Sequence, residues 1–124
     1  MKALIVDDSR AARSLTRGML ERAGVTTVEA RDALEAWFIL ETDADFAFAV
    51  VDWNMPVISG IEFVARVRAD ARFATLPILM ATSEIEMSRV EEALAQGACE
   101  YLMKPFDDPA LIERIRLMGV EIGG

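Results

Sequence analysis

Short apolar runs alternate with apolar stripes at helical spacing along the whole chain. "KALIV" (2–6) is a continuous apolar run closed by "DDS". From Ser9 onward Ala12, Leu15, Met19 and Ala23 recur at helical intervals, and Gly24 supplies a stop. "TTVEA" (26–30) is strand-like and rich in β-branched residues. Asp32 is placed to cap a helix with Ala33, Ala36, Trp37 and Leu40 on its inner face. That stripe leaves Phe38 of "WFIL" facing water; a docking role for Phe38 is the weaker alternative to an ordinary exposed apolar residue.

"FAFAVV" (46–51) reads as a buried strand, followed by a Pro/Gly loop and a third helical stripe at Gly60, Phe63, Val64 and Val67. "PILMAT" (77–82) is a fourth strand, and Met87, Val90 and Leu94 form a fourth helix stopped by Gly97. "CEYLM" (99–103) is a fifth strand, and Leu111, Ile115 and Met118 line a fifth helix after an Asp-Pro start. Five βα units with near-continuous apolar strands predict an α/β fold: a parallel sheet with helices on both faces and right-handed crossovers. No repeat or low-complexity segment interrupts the pattern, so residues 1–124 are expected to form one domain with no output domain attached.

Composition narrows the chemistry. The chain is 53% hydrophobic and 27% charged, as for a globular core, and its longest apolar run is too short to span a bilayer. No signal peptide is legible, which makes the cytoplasm the expected location. Cys99, alone in an apolar context, reads as an inert buried thiol in a reducing compartment. A net charge of −8 without a basic run argues against nucleic acid and anionic membrane as partners. The absence of histidine removes His-dependent nucleophile systems and His-ligated zinc.

In open parallel sheets, sites form beyond the carboxyl ends of the strands. Strand one ends in Asp7 and Asp8, strand three in Asp52, strand four in Thr82 followed by Ser83 and Glu84, and strand five in Lys104 followed by Pro105. Strand two ends without such a group, which suits an edge. Three converging carboxylates repel one another, and a hard divalent ion such as Mg²⁺ relieves the repulsion through oxygen ligation while keeping water. A carboxylate beside that ion, with Lys104 and a hydroxyl close by, is equipped to attack phosphorus and form an acyl phosphate.

The set "VDDSR", "VVDWNMP", "MATSE" and "GACEYLMKPF", in this order and spacing, resembles the receiver domain of bacterial response regulators, with the nearest likeness to single-domain chemotaxis regulators. The resemblance covers essentially the whole chain. It implies a flavodoxin-like doubly wound (βα)5 fold; the strand order 2-1-3-4-5 is a known example from a chemotaxis regulator and is carried over with the resemblance. It further implies that Asp52 accepts phosphate from a phosphohistidine on a histidine kinase or histidine phosphotransfer protein. Asp7, Asp8, Asp52 and the backbone carbonyl of Asn54 would hold Mg²⁺, with Mn²⁺ as a substitute. Thr82 and Lys104 would bind the phosphoryl oxygens, and the Lys104–Pro105 peptide would be cis. Asn54 and Glu84 would tune hydrolysis. Thr82 and Tyr101 would form the switch.

Met87, Val90, Glu91, Tyr101 and Phe106 fall on the side formed by the fourth helix, fifth strand and fifth helix, where family members meet targets such as a flagellar motor switch. Mere packing is the plainer account of Met87 and Val90, whereas for Tyr101 core packing is the alternative to the switch role. The chain departs from the family at Ser59-Gly60, where Asp-Gly is usual, and at Ala33, where glycine is usual. A monomer is expected, acting as a signalling phosphoacceptor whose only catalysis is its own phosphotransfer and dephosphorylation. The reading leaves open whether it is an effector or a phosphate sink in a relay. A phosphatase working through an aspartyl phosphate needs a second acid where Asn54 stands. An FMN carrier needs a phosphate loop where "DDSRAA" places two negative charges.

Overall fold

The computed structural model describes residues 1–83 and 89–122. Eleven elements follow in order: β1 (Lys2–Val6), α1 (Arg10–Arg22), β2 (Thr26–Ala30), α2 (Ala33–Thr42), β3 (Phe48–Asp52), α3 (Gly60–Arg68), a 3₁₀ turn (Ala71–Phe73), β4 (Ile78–Thr82), α4 (Val90–Ala95), β5 (Glu100–Met103) and α5 (Asp108–Leu117). The five strands form one sheet in the order β2-β1-β3-β4-β5, and every neighbouring pair is parallel. This is the flavodoxin-like doubly wound arrangement, with β2 on an edge, as suits a strand that ends without a carboxylate, hydroxyl or ammonium. No helix among the described residues is long and apolar enough to cross a membrane.

Strand alternation divides the core into two layers. Leu4 and Val6 of β1, Ala49 and Val51 of β3, and Ile78 and Met80 of β4 face one side, where they meet Ala36 and Leu40 of α2 and Phe63, Val64 and Val67 of α3. Ala3 and Ile5, Phe48 and Val50, and Leu79 and Ala81 face the other, against Leu20 of α1 and Leu111 and Ile115 of α5. Because β1, β3 and β4 are covered on both faces, they read as unbroken apolar runs. The helices begin where side chains accept the free N–H groups: Ser9, Asp32, Ser59 and Asp107 cap α1, α2, α3 and α5 through Ala12, Glu35, Glu62 and Ala110.

Three details differ from the sequence pattern. Leu15 is 66% exposed, because α1 buries Thr16 and Leu20, one helical position round from the apolar residue that periodicity favoured. Leu94 likewise turns outward, and Ala93 packs inward with Val90. Trp37, by contrast, packs against the core as expected, half-buried and edge-on to Phe73 with centroids 6.1 Å apart, and Phe38 faces solvent at 68% exposure, as the stripe predicts. Cys99 is exposed rather than buried: it precedes β5, an edge strand, and its sulfur accepts from Arg68 Nη2 at 3.4 Å.

Candidate functional site

Parallel strands bring their carboxyl ends to one rim. In the register, Val6 lies beside Val51, and Asp52 beside Ala81, so the residues that end β1 and β3 are neighbours. Asp7 continues β1 by donating its N–H to the carbonyl of Ala30 at 3.1 Å. Its Oδ1 accepts from the Ser9 N–H at 2.9 Å, and Arg13 Nη1 donates to its backbone carbonyl at 2.7 Å. Ser9, which also caps α1, and Arg13 thereby fix Asp7. Asp8 stands exposed at the lip.

Asp52 is the last residue of β3 and is buried. Trp53 extends the ladder through its N–H to Ala81 at 2.9 Å, and its carbonyl accepts from the Gly60 N–H at 3.0 Å. That bond folds the start of α3 back against the strand end so closely that a Cβ on Gly60 would lie 2.4 Å from the carbonyl oxygen of Asp52. Glycine is required there by close approach. Between them, Val57 adopts φ 68°, a left-handed conformation strained for a β-branched residue. Asn54 is exposed at the start of this loop.

From the far side of the rim, Lys104 donates its backbone N–H to the Thr82 carbonyl at 2.6 Å, and its peptide to Pro105 is cis. Its ammonium reaches Asp52 Oδ1 at 2.8 Å and Asp7 Oδ2 at 3.0 Å. Thr82 is buried at the end of β4, its hydroxyl donating to the Ser83 carbonyl at 3.3 Å. Asp7, Asp8, Asp52, Thr82 and Lys104 thus share the rim. Tyr101, half-buried on β5, carries the Arg114 guanidinium 5.0 Å above its ring. Glu91 is exposed, Phe106 half-buried and Val90 buried, which makes Val90 a packing residue. Glu84 and Met87 lie outside the described residues.

The electrostatics are unbalanced. One ammonium serves three carboxylates, which offer oxygens within 4.8 Å of one another. Burial pushes the Asp52 carboxyl up to about 6; Lys104 pulls it down, while Asp7 and Asp8 add repulsion. Burial would lower Lys104, but its contacts with Asp52 and Asp7 outweigh that and raise it. An all-oxygen, acid-rich donor set fits a hard divalent cation such as Mg²⁺: Asp7, Asp8 and Asp52 could hold one, and the donor set lacks the thiolates and imidazoles that softer metals favour.

Two further contacts were not legible in the sequence. Arg13 bonds the Asp7 carbonyl, and Arg89 places its guanidinium 4.9 Å over the buried ring of Trp53, the residue after Asp52. Nothing in their local pattern distinguishes these arginines from other surface cations.

Residues 3–116 match the family model described as "Response regulator receiver domain". Chemotaxis protein CheY1 of Helicobacter pylori is 40% identical over 119 residues, covering 95% of this chain and 96% of its own. Chemotaxis protein CheY of Pseudomonas aeruginosa is 39% identical, covering 100% of both chains. The high-resolution structure of Vibrio cholerae chemotaxis protein CheY4 superposes with a TM-score of 0.86 at 36% identity, covering 93% of this chain and 95% of the other. The two-layered fold, the acidic rim with its single lysine, and this near full-length similarity agree: the chain belongs to the response regulator receiver domain family.

Proposed function

We propose that the chain is a two-component signalling switch in which Asp52 accepts a phosphoryl group from a phosphohistidine on a partner kinase or phosphotransfer protein. In this step an Asp52 carboxylate oxygen bonds to phosphorus, the N–P bond breaks, and the imidazole leaves with its electron pair. The observation that carries the reading is the ammonium of Lys104, held within hydrogen-bond distance of both Asp52 and Asp7 beside the exposed Asp8. Asp7, Asp8, Asp52 and the Asn54 carbonyl would hold Mg²⁺, which would supply positive charge to the transferring phosphoryl group.

The chain's own groups do the rest. Lys104, positioned by its backbone bond to Thr82, neutralises one phosphoryl oxygen, and the Thr82 hydroxyl, turned from Ser83, donates to another. Asn54, exposed at the start of the loop after β3, sets access of hydrolytic water, and the family resemblance gives Glu84 the same tuning role. Drawing Thr82 toward the phosphoryl group vacates space toward Tyr101 on the adjacent strand, and the ring moves inward. A target then binds the altered α4–β5–α5 face with differential affinity. The names of the chemotaxis relatives support chemotaxis as the setting, and a flagellar motor switch is the type of target that the family resemblance implies. In this reading the chain acts as a monomeric receiver in the cytoplasm.

Incubation with Mg²⁺ and acetyl phosphate tests the reading. Intact mass should show one added phosphate that is released by hydroxylamine and absent in EDTA or in Asp52→Asn. Steady turnover of a phosphomonoester without a labelled protein would reject it in favour of an enzyme.

A further inference from the structure

A second charged cleft lies beside the acidic rim, with the opposite sign. The chain has 21 acidic and 13 basic residues, yet four arginines line one cavity of about 370 Å³. Arg10, Arg13 and Arg17 come from α1 at spacings of three and four, which puts them on one helical face. Arg31 faces them from the β2–α2 connection, and Ser14 adds a hydroxyl.

The carboxylates in the lining are Glu29 and Glu35, two against four guanidinium groups. Glu29 is shared by Arg13 at 3.2 Å and Arg17 at 2.8 Å. Glu35 accepts from the backbone of Arg31 and lies 3.7 Å from its side chain. Two acids outside the lining lie at its edge: Glu21 is 3.8 Å from Arg17, and Asp32, whose oxygen caps α2, is 4.0 Å from Arg31. Arg10 is exposed and forms no ion pair among the described residues. Within the lining, guanidinium groups therefore outnumber carboxylates by two, and Arg10 is the one left without an ion pair among the described residues.

We propose that this cleft is a binding site for a soluble phosphate-bearing small molecule, held by Arg10, Arg13, Arg17 and Arg31. Guanidinium groups offer paired N–H donors that match phosphate oxygens, and several converging on one concavity suit a ligand with two phosphates better than a single carboxylate. A concave cavity of this volume admits a nucleoside diphosphate, whereas a protein partner would call for a broad, flat patch. Arg13 reaches from this cleft to the backbone carbonyl of Asp7, so the cleft and the acidic rim share one side chain.

The test is calorimetric titration of the full chain with ADP and with inorganic pyrophosphate, in EDTA and at about 0.15 M salt, where Debye screening suppresses long-range attraction. EDTA separates this site from the metal-dependent chemistry of Asp52, so the result is independent of the phosphoacceptor reading. The proposal expects one saturable site with submillimolar affinity, unchanged in Asp52→Asn. Arg10→Gln and Arg31→Gln should each weaken it roughly tenfold, the loss of one charge-assisted contact of about 1.4 kcal/mol. Arg66→Gln, an exposed arginine on α3, should leave it unchanged.

Equal binding of both probes would assign recognition to the phosphates, and tighter ADP binding would add the nucleoside; either supports the site. No binding by either probe overturns it, as does affinity that survives both substitutions or falls equally in Arg66→Gln. Arg10 opens α1 without a partner, so its variant should keep the parent melting temperature, and a titration on that folded variant stands alone as the decisive arm.

Discussion

Asp52 and Asp108 each lie within hydrogen-bond reach of a cation, yet the fold moves their proton affinities in opposite directions. Asp108 makes a two-pronged contact with Arg22 at 2.7 and 3.0 Å on the surface between α1 and α5, and that contact lowers its pKa. Asp70 and Asp43 are lowered in the same way by Arg72 and Lys2. Asp52 touches Lys104 at 2.8 Å and is nevertheless pushed up to about 6. Burial and two neighbouring acids outweigh the ammonium at the rim, whereas on the surface each of these carboxylates meets its cation in water without that burial. Local frustration of this kind is expected where structure serves chemistry rather than stability.

The comparison can be broken first at its scaffold. Gly60→Ala drives a Cβ to 2.4 Å from the Asp52 carbonyl and 3.1 Å from the Trp53 Cα, both backbone atoms that cannot yield. Overpacking of this severity should cost about 3 kcal/mol or more, read as a large fall in urea midpoint together with loss of metal-dependent Trp fluorescence change. A variant that melts like the parent would show that the loop after β3 does not hold Asp52 as described.

Proton competition sharpens the contrast next. With its pKa near 6, the Asp52 carboxyl carries a proton below that pH, and a cation must displace it. Apparent Mg²⁺ affinity should therefore be level above pH 6 and weaken by about tenfold per unit below it. Trp53, buried beside Asp52, reports the titration, with Trp37 as constant background. A midpoint near the ordinary carboxylate value of about 4 would mean that the rim is not strained.

A smaller effect concerns stability without metal. The folded pKa of Asp52 lies above its unfolded value, so the native state binds the extra proton and stability falls as pH rises from about 4 through about 6. Asp52→Asn removes that loss. At pH 7.5 in EDTA it should be more stable than the parent by about 1 kcal/mol, the full shift being discounted because the rim opens to water. At the bottom of the scale, Arg22→Gln and Asp108→Asn should leave the melting temperature within experimental scatter, since both side chains are well exposed. A destabilised Asp52→Asn would reverse the distinction between the two regions.

Much of this was legible before any coordinates, for a physical reason. Strands β1, β3 and β4 are buried on both faces, so the first polar residue after each apolar run, Asp7, Asp52 or Thr82, marks the rim. Helix faces were less legible. Periodicity favoured Leu15, but Thr16 is the residue buried with Leu20, because α1 meets the sheet one position round from its apolar stripe. Cys99 looked internal by composition, but an edge strand buries only part of its residues. The contacts of Arg13 with the Asp7 carbonyl and of Arg89 with Trp53 join residues whose pairing depends on how α1 and α4 meet the sheet, which no local pattern encodes.

The most direct test is to locate the modification chemically. Protein treated with acetyl phosphate and Mg²⁺, then reduced with borohydride and digested, should yield homoserine in place of aspartate at position 52 and at no other acid. Reduction at Asp7 or Asp8, or a folded and metal-loaded protein that yields no homoserine at all, would contradict the assignment of Asp52 as the phosphoryl acceptor.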